Sequence, residues 1–432
     1  MTVRDRLDET LARIEGARSG AHVFMKLYPE SARAAADAAD ARARAGVSLG
    51  PLDGALVSIK DLFDVAGETT TAGSVILRDA PPAAADAPAI ARLRRAGAVI
   101  LGKTNMVEFA FAGIGLNPHY GTPGSAADPS RIPGGSTSGG AVSVGEGTSE
   151  ITIGSDTGGS TRIPAAFNGV VGFKPTARRV PLEGAFPLSY ALDSVGPLAR
   201  TVQACADADA VMAGEEPRAL DPRPLAGLRV GVPRGRLFAD TDAAVSAAFE
   251  ACLSRLEAAG ARIADHAIED LLAALADVTA PASIAAIEAS EVHKDWLDGR
   301  AGEFDPRVRS RIARAASIEA HTYIRMMRKR AALIREMDAR LSPVDVLALP
   351  TVPVVPPPIA PLVADDDLYY RTNLLVLRNT MIANFFDLTA ISLPVPGQAL
   401  PVGFMLIARN GRDRHLLAVA AAAEAELGRA LS

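Results

Sequence analysis

The chain contains 432 residues, of which 49% are hydrophobic and 22% charged, and its formal net charge is −5. This composition excludes an intrinsically disordered chain and predicts a large folded core. Because acidic and basic residues are interspersed and charges break the apolar stretches before the ~20 residues that a bilayer requires, we expect neither nucleic acid nor a membrane as a partner.

The N-terminal region predicts helices rather than a targeting segment. Charged and apolar residues alternate at helical spacing from 3 to 46, which predicts two helices separated near Tyr28-Pro29. The first residues lack the apolar core of a signal peptide, and Cys205 and Cys252, the two cysteines, exclude a disulfide framework or a multi-thiolate metal site. We therefore expect a cytoplasmic protein with a small-molecule partner.

Two buried strands with a helix between them are predicted next. The apolar run Gly54–Ile59 predicts a strand that ends at Lys60, and Gly97–Gly102 predicts a second strand. A helix is expected from about Ala87 to Ala96. This alternation predicts parallel pairing and an α/β architecture.

Glycine becomes dense between Asn117 and Gly184, with Ser and Thr clustered around it, which a helix or strand interior would not tolerate. The run Glu150–Ile153 predicts a strand within this region. We interpret the region as loops carried on strands, where functional residues concentrate.

The remainder of the chain predicts strands around a helical region. Strands are expected at Leu228–Pro233, Val346–Pro350 and Ala390–Gly397, and a helix at the C-terminal end. Residues from about 240 to 340 predict several helices that wall or cap a site. Because the sequence has no internal repeat or disordered linker, we expect residues 1–432 to form a single domain that includes this helical elaboration.

Three segments are candidates to form one catalytic centre: Lys60 at a strand end, residues 134–140 and residues 154–162. Glycines directly before Ser160 allow successive backbone N–H groups to point at one spot while the hydroxyl stays exposed. A serine nucleophile and an oxyanion hole can share such a turn.

A serine nucleophile needs an adjacent base. The histidines are scattered, and only His119 lies near the glycine-rich region. Burial at the end of an apolar strand can supply the roughly 4–5 kcal/mol that lowers a lysine pKa from about 10.4 to about 7, and a neutral lysine accepts a proton well. Lys60 is therefore the candidate base, and a surface lysine or an ion pair with Asp61 or Asp64 is the alternative.

Competing motifs are absent from the sequence. Gly139-Gly140 is followed by Ala141, so the Lys-Ser/Thr of a phosphate-binding loop is missing. The sequence also lacks a Gly-x-Ser-x-Gly elbow, a Gly-x-Gly-x-x-Gly turn before a helix and a His-Glu-x-x-His pair.

The run from Pro133 to Thr176 resembles the amidase signature, with Pro-Gly-Gly-Ser-Thr-Ser-Gly-Gly, then Gly-Ser-Asp-Thr-Gly-Gly-Ser-Thr-Arg-Ile-Pro-Ala and Gly-Val-Val-Gly-Phe-Lys-Pro-Thr. Further matches cover Gly54–Asp64, Gly97–Phe109, Leu192–Arg200 and Ser392–Ile407, whereas residues from about 235 to 340 look unlike the family. The resemblance implies the amidase signature fold, a central mixed β-sheet flanked by helices on both faces. It also implies a serine amidohydrolase that uses no cofactor and no metal.

The resemblance assigns a role to several residues of this sequence. It implies a triad of Ser160 as nucleophile, Ser136 after a cis peptide, and Lys60 as base. It implies an oxyanion hole built from backbone N–H groups of the loop that contains Thr157, Gly158, Gly159 and Ser160.

Supporting residues and departures follow from the same resemblance. Asp156 and Arg162 match residues that brace the loop through a charge-assisted network, and Ser138 is expected to donate a hydrogen bond to Lys60 or Ser136. The sequence departs from the commonest family pattern outside the triad, which affects the substrate rather than the chemistry, at Thr161, Asp387 and Met405.

The substrate stays open among aliphatic amides, aryl amides, urea-like compounds and carbamates. Residues 184–193 and 117–121 resemble those of 1-carboxybiuret hydrolases, which act on small urea-like molecules. As an alternative, an apolar substrate pocket is lined by the aromatic side chains of Phe109, Phe111, Phe186 and Tyr190.

Two other functions are weighed against a free-standing amidase. One is the A subunit of a glutamine-dependent amidotransferase, which releases ammonia from glutamine, although Ile163 stands where those subunits usually have glutamine. The other is a catalytically silent scaffold, against which the intact Lys60, Ser136 and Ser160 argue. Family members often form dimers, so a homodimer is one expected state.

Overall fold

The computed structural model describes residues 1–16 and 22–429. Within them, 11 strands form one sheet in the order β1-β3-β2-β4-β6-β5-β10-β11-β9-β7-β8. The strands are β1 (Phe24–Leu27), β2 (Leu56–Lys60), β3 (Val99–Thr104), β4 (Ile151–Asp156), β5 (Val171–Lys174), β6 (Ser194–Ala199), β7 (Arg229–Val232), β8 (Arg262–Asp265), β9 (Val346–Pro350), β10 (Thr389–Pro394) and β11 (Gly403–Ala408).

The helices surround this sheet. They are α1 (Val3–Gly16), α2 (Pro29–Arg44), α3 (Pro88–Arg95), α4 (Ser138–Glu146), α5 (Arg162–Asn168), α6 (Val202–Ala213), α7 (Ala243–Ala258), α8 (Glu269–Thr279), α9 (Ile284–Val292), α10 (Lys294–Leu297), α11 (Pro306–Ala315), α12 (Ala320–Arg340), α13 (Ile359–Ala364), α14 (Asp366–Leu377), α15 (Met381–Phe385) and α16 (Asp413–Leu427).

The sheet is mixed, as the family resemblance implies. The predicted parallel pairing holds around β2, which lies parallel to β3 and β4. Antiparallel pairs join β4 to β6, β5 to β10 and β10 to β11. The expected α/β architecture is therefore confirmed, whereas the single-domain organisation stays a prediction.

Helices cover both faces of the sheet, because successive residues of a strand point to opposite sides. On β6, Leu198 packs with Ala141 of α4 and Ala165 of α5. The next residue, Ala199, belongs to the larger core that includes Cys205 of α6 and residues of α16. Each face of the central strands thus has its own apolar core.

Two strands occupy positions where only helices were expected. The predicted break at Tyr28-Pro29 is present, since α2 begins at Pro29, but β1 lies directly before it. Residues 17–21, which were predicted to be helical, lie outside the described residues. In the region expected to be helical from 240 to 340, β8 pairs in parallel with β7. Both strands lie at the edges of the sheet, are partly exposed and have only 4 residues, so each is too short to show the pattern of a strand in the sequence.

The expectation that no segment is long and apolar enough to span a membrane is wrong for the stretch Glu269–Val292. By length and composition alone it suits a membrane span, with a mean hydropathy of 1.5. The chain is nevertheless divided there into α8 and α9, with Pro281 between them, and the two helices pack against α12 and α11. In the folded chain this stretch forms one wall of an apolar cavity.

Candidate active site

Lys60 lies at the last position of β2, where the predicted strand was expected to end. Its side chain is completely buried, and its Nζ donates hydrogen bonds to Ser136 Oγ (2.8 Å) and Ser155 Oγ (2.9 Å). Burial lowers the pKa of Lys60 to about 7, although the nearby carboxylates of Asp156 and Asp193 act in the opposite direction. Lys60 is therefore an amine that loses its proton near neutral pH.

The alternative interpretations of Lys60 are excluded by its contacts. It is not exposed, so it is not a surface lysine. Asp61 pairs with Lys103 Nζ at 3.3 Å, and the carboxylate of Asp64 accepts a hydrogen bond from Thr70 Oγ1 at 2.7 Å. Neither aspartate neutralises the Lys60 ammonium.

Ser136 lies in the loop that leads into α4, and the Gly135–Ser136 peptide bond is cis, as the resemblance implies. Backbone hydrogen bonds fix the loop: Val107 N donates to Ser136 O (3.1 Å), and Gly135 N donates to Gly113 O (2.9 Å). A Cβ at Gly135 would lie 2.9 Å from the carbonyl oxygen of Ala112, so glycine is required for this close packing.

Ser160 lies in the loop between β4 and α5, which we call the oxyanion loop (residues 157–160). Thr157, Gly158 and Ser160 line a cavity. Within the described part of the chain, no hydrogen bond occupies the backbone N–H groups of this loop or the hydroxyl of Ser160. These donors are free to bind a developing negative charge in the cavity, which is the arrangement an oxyanion hole requires.

Gly159 gives this loop a conformation that other residues adopt only with strain. Its φ is +139°, and an added Cβ would lie 2.2 Å from Thr380 Oγ1 and 2.7 Å from Ile163 Cδ1. Gly159→Ala is therefore expected to displace the loop amides and to lower kcat about 10²-fold, the usual effect of losing one oxyanion donor. The matched control is Gly302→Ala, where no heavy atom lies within 4 Å of the added Cβ. A Gly159→Ala enzyme with unchanged kcat would contradict this role.

A buried ion pair joins the residues on either side of the oxyanion loop. Arg162 and Asp156 are completely buried and lie 2.9 Å apart. Asn384 completes the network, because its Nδ2 donates to Asp156 Oδ1 (2.8 Å) and its Oδ1 accepts from Arg162 Nη2 (2.8 Å). Burial would raise the pKa of Asp156, but Arg162 and the other hydrogen bonds hold it well below its usual range. The network therefore stays charged and rigid.

Asn384 was not among the predicted site residues, although the sequence carried a signal for it. It begins the late segment in which Asp387 replaces the usual glycine of an Asn-x-x-Gly pattern. Asp387 has a φ of +56°, the left-handed conformation in which glycine is ordinarily preferred. The departure at position 387 thus keeps the backbone shape of the pattern.

The predicted contact of Ser138 is wrong. Ser138 begins α4, and its Oγ donates to the carbonyl oxygen of Asn105 at 3.3 Å instead of contacting Lys60 or Ser136. Ser155 of β4 provides the second hydrogen bond to Lys60. Because β4 lies directly beside β2, a side chain near the end of β4 reaches the end of β2, and sequence spacing alone does not reveal this contact.

The cavity at Ser160 is largely apolar, and the helical elaboration forms part of its wall. Of the four aromatic residues predicted to line it, only Phe111 does. Phe109 and Phe186 pack together in an aromatic cluster with a centroid separation of 5.3 Å, and Tyr190 is 63% exposed. The lining residues are Ala110, Phe111, Ala112, Thr157, Gly158, Ser160, Leu188, Leu192, Thr279, Ser283, Ile284, Ala285, Arg311, Leu377, Met381, Asn384 and Phe385.

Arg311 of α11 is the one charged side chain among these lining residues. Its guanidinium carbon lies 4.1 Å from the centre of the Phe111 ring, and Nη1 donates to the carbonyl oxygen of Phe111. Among the described residues, no carboxylate lies within ion-pair distance of Arg311, and burial lowers its pKa. The cavity therefore contains a cation without a counter-ion.

The described residues hold no group of three or more His, Cys, Asp or Glu arranged to bind a metal ion. A nearly neutral buried lysine, a serine bonded to it and a second serine on a loop with free amides define a serine-type hydrolase whose base is lysine rather than histidine. The chain belongs to the amidase family, hydrolases that act on C–N bonds: the family model described as Amidase matches residues 5–417.

Comparison with known proteins supports this assignment over more than nine tenths of the chain. It is 38% identical to 2-amino-5-chloromuconic acid deaminase of Comamonas testosteroni, covering 92% of this chain and 87% of the relative. It is 35% identical to the A subunit of the glutamyl-tRNA(Gln) amidotransferase from Anaeromyxobacter sp. (strain K), covering 98% and 92%. It is 33% identical to a 1-carboxybiuret hydrolase subunit of Pseudomonas sp. (strain ADP), covering 94% and 91%. A crystal structure of an amidase superimposes with a TM-score of 0.88 at 33% identity, covering 99% of this chain and 97% of that one.

Proposed function

We propose that the protein hydrolyses the C–N bond of a small, carboxylate-bearing amide or urea-like compound through an acyl-enzyme on Ser160. The reaction class follows from the family. The observation that carries the substrate class is the cation of Arg311, which faces the same apolar cavity as Ser160 without a counter-ion.

In the proposed first step, neutral Lys60 accepts a proton from Ser136, and Ser136 accepts the proton of Ser160 as Ser160 Oγ attacks the carbonyl carbon. The distance of 2.8 Å between Lys60 Nζ and Ser136 Oγ supports the first half of this relay, because the Ser136 hydroxyl can donate to the lone pair of Lys60 once the amine is neutral. The transfer from Ser160 to Ser136 is part of the proposal. A pKa of about 7 lets Lys60 both accept and return a proton at neutral pH.

The tetrahedral intermediate then places its oxyanion against the free N–H groups of the oxyanion loop. The relay runs in reverse to protonate the leaving nitrogen, which departs as ammonia or an amine. Water enters and is deprotonated by the same relay, and its attack on the acyl-enzyme releases a carboxylic acid and restores Ser160.

We propose the specificity for a carboxylate because Arg311 is positively charged and lies in an apolar cavity. A guanidinium in an apolar cavity without a counter-ion is costly, and a carboxylate bound to it in a bidentate manner satisfies both charges. Two relatives are named for compounds that carry carboxylates, a chloromuconic acid and a carboxybiuret. These names support the same substrate class for this chain.

Arg311→Gln is expected to lower kcat/KM for a carboxylate-bearing substrate about 100-fold or more, because glutamine carries no positive charge. Glutamine still offers hydrogen-bonding atoms, so the change isolates the effect of the charge. For the uncharged analogue in which a carboxamide replaces that carboxylate, the change is expected to be less than about threefold. The measurement is steady-state ammonia release with both compounds.

The matched control is Arg314→Gln, which removes an exposed arginine from the same helix. Equal losses for the charged and uncharged compounds in Arg311→Gln would show that Arg311 supports the wall of the cavity and does not select the substrate.

The second candidate is the A subunit of an amidotransferase, which 35% identity over 98% of the chain favours. The substrate of such a protein, glutamine, carries an ammonium group beside its carboxylate. Among the described residues that line the cavity, none supplies a carboxylate to bind an ammonium. Ammonia release from glutamine at least tenfold faster than from its des-amino analogue would favour this second function.

A further inference from the structure

The segment between the cavity and β6, residues 188–193, connects the oxyanion loop to the helical elaboration. We call it the bridging segment. Leu188 and Leu192 line the cavity beside Thr157, and Asp193, at the end of the segment, is buried. The segment therefore touches both the reacting region and the protein behind it.

Asp193 fixes the bridging segment to the oxyanion loop. Thr157 Oγ1 donates to Asp193 Oδ1, and the backbone N–H groups of Leu188 and Ser189 each donate to Asp193 Oδ2 at 3.0 Å. The same carboxyl thus holds a residue that begins the oxyanion loop and folds the bridging segment around itself. Loss of the hydrogen bond between Thr157 Oγ1 and Asp193 would leave the Thr157 hydroxyl without a partner in an apolar cavity.

Glu288 of α9 fixes the other side of the bridging segment. One of its carboxylate oxygens accepts hydrogen bonds from Ser189 Oγ and, at 3.2 Å, from Ala191 N, and the other accepts from the hydroxyl of Tyr323 on α12. Glu288 is only 7% exposed. Among the described residues no lysine or arginine forms an ion pair with it, so these three donors stabilise its charge.

We propose that Asp193 and Glu288 are positioning residues for catalysis: Glu288 anchors the bridging segment to the helical elaboration, and Asp193 transmits that position to Thr157 of the oxyanion loop. The proposal rests on the proposed function, because it takes the Thr157 N–H as an oxyanion donor. It assigns a positioning role to Glu288, which lies in the helical elaboration between 240 and 340.

We expect this coupling to act more on the transition state than on substrate binding. The hydrogen-bond partners of Glu288 are Ser189, Ala191 and Tyr323, and none of them lines the cavity. These hydrogen bonds therefore hold the bridging segment and make no contact with the substrate. A donor displaced by a few tenths of an ångström weakens its bond to the oxyanion more than it weakens ground-state binding. The expected signature is a fall in kcat at nearly constant KM.

The test compares Glu288→Gln, Asp193→Asn and Tyr323→Phe with Glu291→Gln, an exposed glutamate on the same helix. We expect kcat to fall about tenfold in Glu288→Gln, about 100-fold in Asp193→Asn and about threefold in Tyr323→Phe, with KM within twofold of wild type. Glu291→Gln is expected to match wild type.

A second readout separates this inference from the proposed function. This readout is the rate at which a serine-directed fluorophosphonate labels Ser160. The rate depends on the position of the oxyanion loop, and its measurement needs no knowledge of the natural substrate. We expect labelling to slow in the order Tyr323→Phe, Glu288→Gln, Asp193→Asn. Wild-type labelling rates in all three variants, or a rise in KM at constant kcat, would overturn the inference. Failure of the wild-type protein to be labelled would instead overturn the proposed function.

Tyr323→Phe keeps the test decisive if the other variants do not fold, because it removes one hydroxyl from a partly buried residue and leaves the ring in place. A folded Tyr323→Phe protein whose labelling rate equals that of wild type would also count against the role of Glu288.

Discussion

Replacing Ser160 by alanine is expected to lower kcat by about 10⁴-fold or more while leaving the fold unchanged. The loss is large because the acyl-enzyme cannot form without the hydroxyl, and the remaining groups can only bind and polarise the substrate. The fold survives because Ser160 Oγ makes no hydrogen bond within the described part of the chain, so no buried partner is left unsatisfied. Ammonia release and the melting temperature of the purified variant measure the two effects.

The control for this prediction is Ser130→Ala, which removes an exposed serine hydroxyl outside the cavity. Covalent labelling by a fluorophosphonate, followed by peptide mass spectrometry, is expected on Ser160 in wild type and in Ser130→Ala, and to vanish in Ser160→Ala. Turnover within tenfold of wild type by Ser160→Ala would show that the nucleophile is another group.

The parts of the site that the sequence predicts are those set by the backbone. A lysine at the end of a continuous apolar strand is carried into the interior whatever the surrounding helices are, and Lys60 is completely buried. Glycine spacing marks the two loops for a similar reason, since Gly135 and Gly159 lie where any Cβ would collide with its neighbours. The mixed sheet and the cis Gly135–Ser136 bond were expected from the resemblance alone.

The parts that the sequence misses are set by side chains brought together from distant segments. Ser138 is closer to Ser136 in sequence, yet Ser155 on the neighbouring strand contacts Lys60. Aromatic character indicated four pocket residues, but whether an aromatic ring lines a cavity depends on the helices packed over it, and only Phe111 does. Arg311 carries no sequence signal, because it is one of many arginines in the helical region and only the folded structure places it at the cavity.

The same distinction explains the two missed strands. Interior strands such as β2 and β4 are buried along their whole length, and β2 continues an apolar run that the sequence shows. The edge strands β1 and β8 have only 4 residues each, which is too short to show the alternating pattern of a strand within a helical stretch. Pairing with the sheet, not local pattern, decides their conformation.

Lys60→Ala is expected to lower kcat/KM about 10³-fold and to remove a specific feature of the pH profile. Burial lowers the pKa of Lys60 to about 7, so below that pH the base is protonated and cannot accept the proton of Ser136. For wild type, kcat/KM should therefore rise about tenfold per pH unit up to pH ~7 and then level off. The residual activity of Lys60→Ala should lack this rise.

Three other buried groups titrate in the same range, so the variant is needed to assign the rise to Lys60. Burial raises the pKa of Asp209 to about 7, but its carboxylate pairs with Arg179 at 2.8 Å and does not line the cavity. Burial lowers the pKa of Lys174 to about 8, but its Nζ donates to the carbonyl oxygens of Pro175 and Leu388, away from the cavity. Burial raises the pKa of Asp193 to about 6. Lys60→Arg is the matched control, because a guanidinium keeps the charge but does not deprotonate, and it should be as inactive as Lys60→Ala. A rise in kcat/KM centred near pH 7 that persists in both variants would transfer the role of base to another residue.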